Sequence, residues 1–173
     1  MADPSHNIIG TETDFRQVLK QSWGDWLSEL GDRVGGWDWW VSLTFRDIEG
    51  QGAWTRPGWS YTGKAWRLWL TELEQRVFEQ TPLDSLKPSP NRIEWVRCRE
   101  EQKGRGIDHF HALLGGVGDL RRNGAWQWWF DKYGIARILP YNRELGAGYY
   151  LCKYVTKELG DIQFSDLRKL TSG

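Results

Sequence analysis

The chain has 173 residues, 23 acidic and 23 basic side chains, 13 tryptophans and two cysteines. That length suits one domain that buries about two-thirds of its unfolded surface; no apolar run is long enough to span a bilayer, and the N-terminus does not read as a signal peptide. Zero net charge excludes a uniformly basic nucleic-acid binder but leaves room for a local basic cleft, and Cys98 and Cys152, without metal-type spacing, point to a reduced, cytoplasmic protein without disulfides.

Residues 1–12 are expected to form a flexible tail and 13–173 a single domain. Thr13 is placed to cap a helix over 14–30, carrying Phe15, Val18, Leu19, Trp26 and Leu30 and stopped at Gly31. Residues 37–46 alternate and are rich in Trp, Val and Phe, which predicts a strand. A loop over 47–60 precedes a helix over 62–79, and a Pro-containing turn follows at 81–90. Residues 91–102 and 108–114 predict two arms of a hairpin closed by Lys103-Gly104-Arg105-Gly106. Asn123 could cap a short helix to 132, ended by Gly134. A strand over 135–139 stops at Pro140, and a last helix over 143–159 has Gly160 as its C-cap. Hairpin-linked strands with interspersed helices predict an α+β fold with a central, mostly antiparallel sheet flanked by helices. No Walker-type phosphate loop is present, so no helicase domain is expected.

The tryptophans divide into two groups. Trp66 and Trp69, with Leu70, Leu73 and Val77, follow a helical stripe and predict core. Trp54 and Trp59, in or beside a Gly/Pro-containing loop, suit base stacking better.

The chemistry gathers in two segments. In a strand, residues i and i+2 face the same way, so His109 and His111 present two imidazoles on one side while Phe110 faces the other. Two imidazoles can share a divalent metal, but a hard ion needs an oxygen ligand as well. Glu100 and Glu101 lie across the predicted hairpin from them. Glu100 shares a face with Cys98 and Gln102, and the Glu-x-Gln pattern points to Glu100, with Glu101 the alternative. On the last helix, Leu145, Gly148, Leu151, Cys152, Val155 and Leu159 predict a broad apolar face. Tyr150, Lys153, Tyr154 and Lys157 form a continuous stripe on the other side, and Tyr149 falls nearer the apolar face as a packing residue. A metal beside a tyrosine suggests attack on a phosphodiester.

In order and spacing these segments resemble the HUH endonucleases, named for His-hydrophobe-His, and in particular the rolling-circle replication initiators. Ser42-Leu43-Thr44-Phe45 looks like their first motif, His109-Phe110-His111 like the second, and Tyr150-x-x-Lys153 like the third. Relaxases of that superfamily carry their tyrosine before the histidines; here it follows them, as in the Rep-like and transposase-like branches. The resemblance implies a ferredoxin- or RRM-like core and a Mg²⁺ or Mn²⁺ ion held by His109, His111 and an acidic residue shortly before them. It implies Tyr150 as the nucleophile, with Tyr154 as a second tyrosine at the spacing some initiators use. The tyrosine would stay on the 5′ phosphate and release a 3′-hydroxyl, and Lys153 would hold the phosphate or ease ionisation of the phenol.

The expected activity is therefore a site-specific nickase and strand transferase on single-stranded DNA, at an origin or hairpin loop, that starts rolling-circle replication of a plasmid or phage, working with a host helicase and polymerase. Lys103, Arg105, Arg121 and Arg122, around the histidines, and Lys157, on the tyrosine helix, are the expected DNA-backbone contacts. A transposase with the same chemistry is one alternative; a non-catalytic RRM-like single-strand-binding module is another.

Overall fold

A computed structural model of the chain describes residues 12–46, 59–80, 93–101, 108–155 and 162–165. Alternation decides the sheet. In β1 (Trp39–Thr44), Trp39, Val41 and Leu43 are buried on one side, while Trp40, Ser42 and Thr44 are half-buried on the other. β2 (Glu94–Glu101) and β3 (Asp108–Gly115) are the two hairpin arms, β4 is Ala136–Pro140, and β5 is Ile162–Phe164. The five strands form one antiparallel sheet in the order β4-β1-β3-β2-β5.

The helices are α1 (Glu12–Arg33), α2 (Trp59–Gln80), α3 (Arg122–Lys132) and α4 (Gly146–Val155). From β1 to β4 the chain runs β-α-β-β-α-β with strand order 4-1-3-2, the arrangement of a ferredoxin-like core. α1 precedes this core, and α4 and β5 follow it. Among the described residues no helix is long and apolar enough to cross a membrane.

Each sheet face has its own core. On one side, Val41, Leu43, Phe110, Ala112 and Leu114 meet Trp66, Trp69, Leu70 and Leu73 of α2 and Trp129 of α3. Trp66 and Trp69 are 1% and 0% exposed, as their helical spacing predicts. Truncating either to alanine would cost about 3–5 kcal/mol. On the other side, Val96, Cys98 and Leu113 meet Leu27 and Leu30 of α1 and Ala147, Tyr150 and Leu151 of α4. The histidines belong to this second face.

Several expected boundaries move for local reasons. Thr13 lies inside the first turn of α1, which already begins at Glu12. α1 also continues through Gly31 to Arg33. Gly31 is a packing position instead: an added Cβ would stand 2.6 Å from Nε1 of Trp37, whose N–H donates to the Leu27 carbonyl at 3.0 Å. Phe15 and Val18 are exposed, so the buried stripe of α1 starts later, at Leu27 and Leu30. Asn123 is in the first turn of α3, and Arg121 occupies the cap position without a side-chain cap bond. Gly134 does end α3; there the backbone passes so close to β1 that a Cβ would meet the Thr44 carbonyl at 2.3 Å.

The last helix differs most. Residues 143–145 form a separate 3₁₀ turn, capped by the Asn142 side chain, which accepts the Glu144 N–H. The expected end at Gly160 lies outside the described residues. β5 has no sequence signature, because its three residues are too short to carry a periodic signal.

Candidate functional site

His109 and His111 leave β3 on the same face, with ring centroids 4.4 Å apart. The register sets their neighbours: Thr44 and Glu100 stand opposite His109, and Ser42 and Cys98 stand opposite His111. The sheet thus brings Glu100, rather than Glu101, to the histidines. Glu101 pairs with Asp108, on the other face. Oε2 of Glu100 is 3.6 Å from Nε2 of His111.

The first motif supplies two hydroxyls. Ser42 Oγ lies 2.9 Å from Nε2 of His109, and Thr44 Oγ1 makes a short contact with Nδ1 of the same ring. Ser42 stands in register with His111, so it marks the direction from His109 toward the second imidazole. Nε2 of His109 is thus the nitrogen on the His111 side of the register, and Nδ1 the one beside Thr44. Burial pushes the His109 imidazole below its ordinary pKa, and the neighbouring Glu100 carboxylate pulls it part of the way back. A neutral imidazole is the form that can bind a metal.

Two of the donors, Glu100 and His111, stand at a spacing that suits a small divalent cation. Two ligand atoms at about 2.1 Å from one ion stand about 3–4 Å apart, depending on the angle between them, and the Glu100–His111 pair is within that range. As the side chains stand, no three of His, Cys, Asp and Glu among the described residues are gathered around one point. Both ring nitrogens of His109 meet hydroxyls of β1.

The tyrosine helix lies on the same face. Tyr150 is 8% exposed and packs with Leu151 and Ala147 in the second core. Its ring stands 5.9 Å from Trp40 and 5.3 Å from Tyr141, and its phenol oxygen accepts the Asn142 N–H at 3.0 Å. Trp40 in turn stacks on His111, at 6.1 Å and 19°. Trp40 thus touches both the tyrosine and the histidine pair.

This orientation corrects the expected faces of α4. Tyr150 is buried, while Tyr149 is 67% exposed and Leu145 48%. Ala147, fully buried in the second core, marks the packed side of the helix, and a tyrosine can bury its ring once its hydroxyl has a partner. Lys153 and Tyr154 also fall in α4, and of these two residues the structure describes the backbone only.

The basic residues separate. Arg121 and Arg122 follow the Gly115 end of β3 and open a helix that covers the opposite face. Six residues of strand, about 20 Å, separate Gly115 from His109. Nearness in sequence to the histidines misled here, because an extended strand carries the chain away quickly. Lys103, Arg105 and Lys157 lie outside the described residues, as do Trp54 and the side chain of Trp59.

Ser42, Thr44 and Trp40 carry contacts that their motif did not assign. The signal for them was the alternation of β1, which puts all three on the histidine face once β1 pairs with β3. Comparison with known proteins finds no match: no family model, curated protein or solved structure is significantly similar to this chain.

Proposed function

We propose that this chain is a metal-dependent single-stranded DNA endonuclease and strand transferase that works through a tyrosine, as initiators of rolling-circle replication do. The observation that carries the reading is the shared face: two imidazoles, a carboxylate and the tyrosine helix all lie on one side of the sheet.

His109 and His111, through Nε2, and Glu100, through its carboxylate, would hold Mg²⁺ or Mn²⁺. Such an ion, when bound, neutralises charge on a phosphate oxygen. The chain's own groups do the rest. Thr44 fixes the His109 ring by its Nδ1 edge. Trp40 spaces Tyr150 from the imidazoles. The phenol oxygen of Tyr150 bonds to phosphorus as the bond from phosphorus to the 3′ oxygen breaks; the phenolic proton passes to water and the 3′ oxygen takes one up. The Asn142 N–H, already donating to the phenol oxygen, favours the negative charge that gathers there at the start of attack. Lys153, three residues on, is the proposed cation for the phosphate, and Tyr154 the second nucleophile that returns the strand.

A transposase would use the same parts. A non-catalytic strand-binding module is favoured by one observation: both ring nitrogens of His109 already meet hydroxyls. Incubation with random-sequence single-stranded DNA and Mn²⁺, followed by a denaturing gel, tests the proposal. A nuclease of this kind yields a band of protein bound covalently to DNA that disappears with EDTA; a binding module yields none.

A further inference from the structure

The histidine face carries a cation outside the site described above. Arg137 lies in the edge strand β4, in register with Ser42 of β1. Residues directly opposite each other in a sheet point to the same face. Arg137 therefore shares the side of Ser42, Glu100 and the two histidines. Among the described strand residues it is the only Lys or Arg to do so: Arg97 and Arg99 alternate to the other face.

Its surroundings suit a ligand. The guanidinium stands 5.7 Å from the ring centre of Trp40, and Trp40 is stacked on His111. A guanidinium supported by an aromatic ring keeps its N–H donors for a planar, two-oxygen acceptor. Arg33, Arg76, Arg99 and Arg143 each meet a carboxylate. Arg137 meets none among the described residues, and it is exposed. α1 and α4 cover the part of this face around Leu113, Val96 and Cys98, and β4 is the sheet edge, so among the described residues the Arg137 side is left open.

We propose that Arg137 binds a backbone phosphate of the single-stranded DNA, next to the phosphate that is cut, with Trp40 as its support. The inference rests on the nuclease reading. β4 is two strand spacings from β3, about 10 Å, too far for the same phosphate to be the natural partner of both Arg137 and the histidines at rest. A phosphodiester is the class of ligand because its two non-bridging oxygens match the paired donors of the guanidinium.

The test measures binding of a fluorescent random-sequence single-stranded oligonucleotide to the full chain across a salt series. EDTA is present to prevent cleavage. Arg137→Gln should raise Kd about tenfold, the worth of one charge-assisted contact, and lower the slope of log K against log salt by about 0.7. Arg137→Lys should keep the slope, which shows that the variant folds and that charge is what matters. Arg67→Gln, an exposed arginine on α2 across the sheet, should behave as wild type. Wild-type Kd and slope in Arg137→Gln would overturn the proposal, as would a wild-type protein that does not bind the oligonucleotide. Covalent-adduct formation by the wild type with Mn²⁺ is scored in parallel. Weak binding by Arg137→Gln without any wild-type adduct removes the nuclease reading and keeps the phosphate contact. A wild-type adduct with unaltered binding by Arg137→Gln removes the contact and keeps the nuclease.

Discussion

Thr44→Val separates the two hydroxyls that touch His109. Valine keeps the shape of threonine and its preference for a strand, but it cannot meet Nδ1. The geometry gives Ser42 and Thr44 opposite expectations. Thr44 stands opposite His109 itself and meets Nδ1, so its contact can persist when Nε2 binds an ion. Ser42 occupies Nε2 and must give way. Loss of a group that orients a metal-bound histidine costs about 10–100-fold in affinity, or about 1.4–2.7 kcal/mol. Isothermal titration with Mn²⁺ should therefore show Thr44→Val weakened by about that factor, with Ser42→Ala within about threefold of wild type. The direct cost to folding is one hydrogen bond, about 0.5–1.5 kcal/mol, which lowers Tm by a few degrees at most in a chain of this length. Equal Mn²⁺ affinity in Thr44→Val and wild type, or a larger loss in Ser42→Ala, would refute the assignment of Nε2 as the metal-facing nitrogen.

The remaining expectations concern neighbours of that ring. Glu100→Ala should weaken Mn²⁺ binding more than Glu101→Ala, since only Glu100 stands on the histidine face; the reverse ranking by calorimetry would place the strand register off by one. Tyr150→Phe leaves the Asn142 N–H without its acceptor and should cost about 1 kcal/mol, read as a Tm lower by about 2–4 °C; an unchanged or raised Tm would show that the bond carries no net stability. The lowered pKa of His109 also gives a direction in pH. Between its depressed folded pKa and the ordinary value of about 6.5, the unfolded chain binds a proton that the folded chain does not, so stability falls as pH drops through that window. His109→Gln should flatten that part of a Tm-against-pH curve measured without metal, and an identical curve would contradict the burial of a neutral imidazole.

Much of this is legible in the sequence. The alternation of residues 39–44 and 108–115 fixes which side chains share a face, and the Glu-x-Gln pattern points to Glu100, which the sheet sets opposite His109. Helical spacing identifies Trp66 and Trp69 as core without help from tertiary structure. What stayed hidden depends on contacts between distant segments. Nothing local to β4 says that Arg137 will stand beside Ser42; that follows only from the order β4-β1-β3. The helical wheel of α4 treats tyrosine as polar, but Tyr150 is buried because Trp40 and Tyr141 cover its ring and a backbone N–H meets its oxygen. Arg121 and Arg122 are near the histidines in sequence, but the extended geometry of β3 takes them toward the other end of the sheet.

Peptide mapping of the trapped protein–DNA adduct bears on nucleophile and chemistry together. Wild-type protein, incubated with single-stranded DNA and Mn²⁺, is digested with nuclease and protease and read by mass spectrometry. The proposed mechanism predicts a nucleotide joined through phosphate to Tyr150, lost in Tyr150→Phe, in His111→Ala and on chelation. A nucleotide on Tyr154 in the first cleavage would move the nucleophile one turn along α4 and leave the chemistry intact. An adduct on neither tyrosine, or none formed under any condition that supports DNA binding, would contradict the proposed function.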